Sequence, residues 1–261
     1  QLDPFFTPHA AQHGRPVVHA VFRDFTDPGH FYPLGLPKQY DVIFNACWYP
    51  VKRPLLFLEA LSHAKTAGRR ISAIMFGYHW GAGRWSTSTD LEKQAHDMVE
   101  SLGLPVTFLE TIWDNSEINR RYNICRCAVL TTQSEAGPRI LPEANLAGLP
   151  YITTSDVYGG SAAYVNDQNG RLCPPHPSAV AEAIWHVLDH LDTYRPREWA
   201  LQNMCLPVAE IRLKEALQRM AIVNDWRINI DGVHGTASTG NDWIQQILDA
   251  DKAIGCNDGE T

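Results

Sequence analysis

Residues 134–154, SEAGPRILPEANLAGLPYITT, set the strongest constraint on how this chain folds. Pro142 has no N–H and is tolerated only in the first turn of a helix, so a helix is predicted to begin near Pro138 or Arg139. That places Glu143 in or just after the first turn and Glu135 in the loop before it. The N–H groups of Arg139, Ile140 and Leu141 are then expected to lack intrahelical partners and to turn the positive end of the helix towards the loop. A phosphate or a sugar suits such a place, with a carboxylate on either side. The plainer alternative is a helix start decorated with acids that complement its dipole. Gly148 stops the helix, and the compact apolar run to Thr154 is a strand.

The rest of the chain alternates in the same way. Strands are predicted at Asp41–Cys47, Arg70–Phe76, Pro105–Leu109 and Cys127–Thr132, with an earlier one at Pro16–Phe22. Helices are predicted from Pro54 to a stop at Gly68, over Asp90–Leu102 with Thr87, Ser88 or Thr89 as cap, over Asn115–Ile124 and over residues 178–193. Strands alternating with helices at this spacing indicate an α/β fold, a doubly wound parallel sheet. Residues 1–38 form an N-terminal arm, residues 39–195 a Rossmann-like domain, and residues 196–261 a helical extension, with a last helix at 238–254.

Several function classes lose ground. A net charge of −7 over 261 residues argues against a broad nucleic-acid or anionic-membrane surface. No apolar run approaches the ~20 residues a bilayer requires. Six cysteines at 47, 125, 127, 173, 205 and 256 form no metal-type pair and suit free thiols in a reducing cytoplasm. There is no P-loop, no G-x-G-x-x-G and no G-x-S-x-G. Glu182, His186 and His190 recur at four-residue spacing, which is more often a solvated helix face than a metal site.

Glu135 and Glu143 form an E-x7-E pair, followed by Ala147-Gly148-Leu149-Pro150, Thr153-Thr154 and Asp167-Gln168-Asn169-Gly170. In this order and spacing the residues resemble the donor-binding half of retaining GT-B glycosyltransferases, family 4 especially, over roughly residues 24–195. The resemblance implies transfer of a sugar from a UDP- or GDP-sugar to an unknown acceptor with retention, and no required cofactor or metal. It assigns sugar hydroxyls to Glu135, the nucleotide ribose to Glu143, and phosphate to the backbone from Gly137 through Arg139, Ile140 and Leu141. The family's diphosphate clamp is an Arg and a Lys. Lys52 matches the Lys, the Arg position falls on Cys47 or Ala46, and Arg53 is expected to compensate; the alternative is two solvated cations at a helix end. Gly77, opening the loop GYHWGAGRW with His79, Trp80 and Arg84, matches the family's glycine beside the nucleotide, and Thr111 and Ile112 fall where its backbone holds the base. Phe31-Tyr32-Pro33 matches the interdomain crossover.

No complete N-terminal GT-B domain is visible, so the acceptor half is expected from a partner chain or a second copy. The alternatives are a donor-binding subunit of a split transferase, a nucleotide-sugar epimerase on the same fold, and a non-catalytic nucleotide-sugar sensor.

Overall fold

The computed structural model describes residues 22–79, 89–135, 137–159 and 161–224, together with residue 12. Six parallel strands form one sheet: β1 (Tyr40–Asn45), β2 (Ala73–Phe76), β3 (Val106–Phe108), β4 (Cys125–Leu130), β5 (Tyr151–Thr154) and β6 (Gly170–Cys173), in the order β3-β2-β1-β4-β5-β6. Register is fixed by pairs such as Ile43 with Ile74 and with Ala128, and Val129 with Ile152. The central strands are short apolar runs with no polar alternation, because both faces of a parallel sheet are covered by helices. Val42, Ile43, Ile74, Met75, Val129 and Ile152 are accordingly fully buried.

The helices are α1 (Pro54–Thr66), α2 (Thr89–Leu102), α3 (Asn115–Asn123), α4 (Ile140–Leu146), α5 (Pro177–Asp189), α6 (Pro196–Asn203) and α7 (Leu206–Asn224). α1 crosses from β1 to β2 and α4 from β4 to β5, in opposite directions along the sheet. Right-handed crossovers therefore send them to opposite faces. α5 packs beside α1 and α6 beside α4, completing the two helical layers. Ala200, Met204 and Cys205 belong to the same apolar core as the sheet.

Local chemistry explains most boundaries. α1 and α5 open with Pro at their first position, where the missing N–H costs nothing. Asp114 caps α3 by accepting from the Glu117 amide at 2.9 Å. α4 ends at Ala147, with Gly148 at φ +90°, a left-handed conformation that favours glycine. Helices α1 through α5 fall close to their predicted places, and α6 and α7 occupy the predicted helical stretch.

Four differences stand out. β4 begins at Cys125 and ends at Leu130, each two residues before the predicted bound; beyond it the backbone turns to the loop after β1, where the Gln133 amide donates to the Val51 carbonyl at 2.8 Å and the Thr131 and Thr132 hydroxyls donate to the Arg53 and Val51 carbonyls. β6 is not among the predicted strands: it is four residues long and follows directly on an Asn-Asp-Gln-Asn turn. Its Gly170 lies so close to β5 that a Cβ would meet the Tyr151 carbonyl oxygen at 1.9 Å. α4 begins at Ile140, and the Leu141 amide, expected to be unpartnered, donates to the Pro138 carbonyl at 3.3 Å. Residues 16–21 of the first predicted strand and the whole 238–254 helix lie outside the described residues, while Phe22 begins a short 3-10 turn. No helix among the described residues is long and apolar enough to cross a membrane. Cys47, Cys125, Cys127, Cys173 and Cys205 are free.

Candidate functional site

The sheet's winding reverses between β1 and β4. In open α/β sheets the ligand crevice lies outside the carboxyl ends of the strands at this switch point. An open cavity of about 140 Å³ is found there. On one side it is lined by Asn45, Cys47, Lys52, Tyr78, Ile112 and Trp113, from the end of β1 and the loops after β1, β2 and β3. On the other side stand Leu130, Glu135, Gly137, Arg139, Ile140 and Glu143, from the end of β4 to the first turn of α4. Lys52, Ile112, Glu135, Gly137, Arg139, Ile140 and Glu143 thus meet in one place. Arg53, Gly77, Thr111 and Leu141 do not line it.

Lys52 forms an ion pair with Glu135, and both side chains are largely shielded from solvent. Burial pulls the Lys52 ammonium below the ordinary lysine value, and a carboxylate in contact works against that by favouring the charged form. The acidic loop is itself held in place. The Glu135 amide donates to the Tyr158 carbonyl at 2.7 Å, and the Tyr158 amide to that of Gln133 at 2.9 Å.

Arg53, expected to compensate at the diphosphate, bonds the ends of the neighbouring strands in this structure. It sits in the left-handed region at φ 49° and ψ 51°, and all three guanidinium nitrogens donate hydrogen bonds. Nε donates to the Thr131 carbonyl at 2.6 Å, while Nη2 reaches the Thr132 carbonyl at 3.0 Å and Thr154 Oγ1 at 2.7 Å. Both terminal nitrogens pair with Asp156 at 2.8 Å. These bonds tie the ends of β4 and β5 to the start of α1, and Arg53 does not line the cavity.

Glu143 is the deepest of the charged groups, 2% exposed. Tyr122 Oη donates to its Oε2 at 2.9 Å, and Arg139 Nε to its Oε1 at 2.9 Å. Burial pushes the Glu143 carboxyl up, against the pull of Arg139 and Tyr122. Burial also holds the Tyr122 phenol well above its ordinary value and pushes Tyr78 up to about 12, so both stay protonated as hydrogen-bond donors. The Cys47 thiol is likewise pushed up by burial, with Lys52 opposing. It is a neutral wall of the cavity, beside Ala46, the other position expected to hold the Arg.

Gly77 is a spacer: a Cβ there would meet the Ala46 carbonyl oxygen at 2.2 Å. The neighbour that reaches the cavity is Tyr78, whose ring lies 4.7 Å from that of Trp113. Thr111 donates its hydroxyl to the Gly77 carbonyl and so braces the same loop. His79 pairs with Glu92 at 2.6 Å, and Trp80 and Arg84 lie outside the described residues. His186 and His190 stack at 4.4 Å, and the described residues hold no group of three or more potential metal ligands.

Sequence reasoning missed Asn45, Tyr78, Trp113 and Tyr122. Asn45 carried a usable signal, a polar residue closing an apolar strand next to the switch point. Tyr122 carried none, since its role depends on a hydrogen bond to Glu143, 21 residues further along the chain.

The sequence matches the family model of glycosyl transferases group 1 over residues 32–196. Among curated proteins none matches it. The fold is similar to sucrose-phosphate synthase from Thermosynechococcus elongatus, at 20% identity and a TM-score of 0.60, over 76% of this chain and 52% of that one. It is also similar to Anabaena HepE, solved with UDP and glucose, at 19% identity and a TM-score of 0.61, over 78% of this chain and 56% of that one. A C-terminal domain of a glycosyl transferase group 1 protein (LpcC) from Francisella tularensis is matched over 97% of its length and 68% of this chain, at 21% identity and a TM-score of 0.56. The chain therefore spans about half the length of the first two, and at these identities the likeness is one of fold. With the family model covering well over half of its residues, the chain belongs to the glycosyl transferases group 1 family.

Proposed function

We propose that this chain is the donor-binding half of a cytoplasmic glycosyltransferase that moves a sugar from a nucleoside-diphosphate sugar to an acceptor, with retention. The observation that carries this reading is the meeting of Lys52, Glu135 and Glu143 in one cavity at the switch point. Lys52 exchanges its Glu135 contact for the diphosphate and stabilises the charge that grows on it as the glycosidic bond breaks. Glu135, released, accepts hydroxyl hydrogen bonds from the sugar, and Glu143 accepts those of the ribose. With the Leu141 amide spent inside the turn, the backbone share of the phosphate cradle rests on Gly137, Arg139 and Ile140. The acceptor oxygen attacks from the face the phosphate leaves, and its proton passes to the departing phosphate.

HepE was solved with UDP and glucose, which supports a uridine donor, with guanosine as the other base to test. A cavity of about 140 Å³ is smaller than the 300–1,000 Å³ typical of ligand sites. An acceptor-binding domain would supply the remaining wall. One observation favours a second reading. Cys47 and Ala46, one of which takes the place of the pattern's Arg, both line the cavity, and Arg53 is bonded elsewhere. A donor-binding subunit that turns over only with its partner fits that shortage of cations.

Thermal unfolding against UDP, GDP, ADP and their sugar conjugates, alongside Glu143→Gln, tests the proposal. Ligand at ~100 times its dissociation constant stabilises by about 2.7 kcal/mol. One nucleotide series is expected to raise the wild-type Tm and to do so far less in the variant. No shift with any nucleotide overturns the donor reading. A shift with no turnover even beside an acceptor domain selects the second reading.

A further inference from the structure

Three elements around the cavity are joined by a directed hydrogen-bond chain. Asn45 Nδ2, at the end of β1, lies 3.4 Å from Tyr122 Oη on α3, and Tyr122 Oη lies 2.9 Å from Glu143 Oε2 on α4. The direction follows from what each group can do. An ionised carboxylate only accepts, so the phenol must donate its single proton to Glu143. The phenol oxygen is then left to accept, and the Asn45 amide must present its N–H to it. This leaves Asn45 Oδ1 as a buried acceptor without a partner among the described residues, in a side chain that lines the cavity. Tyr122 has no freedom to do otherwise: it is fully buried, with its ring edge-on to Phe31 at 6.2 Å.

We propose that Tyr122 is a positioning residue for donor recognition, holding the Glu143 carboxylate ready for the ribose diol and fixing Asn45 so that its Oδ1 faces the same ligand as a second acceptor. This rests on the donor reading above and assigns the ribose pocket a residue that never touches the ligand. Without Tyr122 the Glu143 carboxylate keeps only the bond from Arg139, whose side chain is 43% exposed. The charged and titratable groups facing Glu143 are Arg139 from its own turn, Tyr122 from α3 and Tyr78 from the loop after β2. α6, packed against α4, brings Arg197, whose guanidinium is committed to the Phe31 and Leu146 carbonyls. Tyr122 is therefore the buried neighbour that donates to Oε2.

The test uses the whole chain and compares UDP with 2′-deoxy-UDP, and GDP with 2′-deoxy-GDP, by titration calorimetry. A hydrogen bond to a charged acceptor discriminates by about tenfold or more. The wild type is expected to prefer the ribonucleotide by that factor, and Tyr122→Phe to reduce the preference to about threefold or less while binding the deoxy form unchanged. A merely structural tyrosine would weaken both forms equally and leave the ratio intact, which would overturn the proposal. In Tyr122→Phe the preference is also expected to fade at a higher pH than in wild type, because the lost hydrogen bond favoured the ionised carboxylate. Should Tyr122→Phe fail to fold, Asn45→Asp answers instead. It turns the donor facing the phenol into an acceptor that competes for its proton, and the same loss of preference is expected. A wild type that binds neither series overturns the donor reading itself. One that binds but ignores the 2′-hydroxyl overturns the assignment of Glu143, and of Tyr122 with it.

Discussion

The two halves of the sheet bring opposite chemistry to the cavity they share. The loop after β4 and the first turn of α4 carry its carboxylates, Glu135 and Glu143, and the ends of β4 and β5 are tied down by side-chain bonds centred on Arg53. The loops after β2 and β3 offer rings and close backbone packing: Tyr78 against Trp113, Thr111 on the Gly77 carbonyl, and Gly77 beneath Ala46. Charge must be aimed to be useful, so the first half is cross-braced. An apolar wall needs shape more than direction, so the second is shaped by sterics. Lys52 and Arg53 show the division most sharply. They are adjacent in sequence, yet one cation faces the cavity and its neighbour serves as an internal tie.

The largest expected effect comes from cutting that tie. Arg53→Ala removes five hydrogen bonds between the end of β4, the end of β5 and the start of α1, and should cost about 2–4 kcal/mol in chemical denaturation. Arg53→Lys should rescue little, because an ammonium cannot reproduce the planar fork. If Arg53→Ala instead leaves stability intact and abolishes nucleotide binding, Arg53 is a ligand cation after all and the contrast with Lys52 collapses. A smaller effect tests the other half. In Gly77→Ala the new methyl meets backbone, the Ala46 carbonyl at 2.2 Å, and overpacking of this kind costs about 1–3 kcal/mol. The loss should appear in Tm, with affinity falling because Cys47 and Tyr78 move. Unchanged stability would show that this wall yields easily and is not shaped by sterics.

The same division governs what could be read from the amino acids. Glu135, Glu143 and the glycine stop after α4 were legible because a fixed spacing and a proline in the first helical turn leave few alternatives. Lys52 was legible from its position after a strand, at the switch point. The role of Arg53 was hidden in a left-handed backbone conformation and in the convergence of two carbonyls and Asp156 from 78 to 103 residues away. Tyr122 and Tyr78 were hidden too, since a tyrosine in a short polar helix and one after a strand have no spacing that marks them. β6 escaped because four residues, only two of them fully buried, carry too little pattern.

The smallest expected effect sets recognition against stability inside the charged half. Burial raises the Glu143 carboxyl in the folded protein, whereas the unfolded chain holds it near the ordinary glutamate value. Between those two values the native state binds the extra proton, so stability falls as pH rises through that window. Above the folded value the full cost of an ionised, buried carboxylate remains. Glu143→Gln removes the charge and keeps an acceptor for Tyr122. The variant should be more stable than wild type near pH 8 by about 1 kcal/mol or less. The gap should close as pH drops and wild-type Glu143 takes up its proton. Urea unfolding of both proteins at pH 5 and pH 8 checks this. A variant less stable than wild type at pH 8 would mean that Arg139 and Tyr122 more than repay the burial, making Glu143 a structural anchor like Arg53. The expected sign, together with weaker nucleotide binding, would mark Glu143 as a charge retained for its ligand at the expense of the fold.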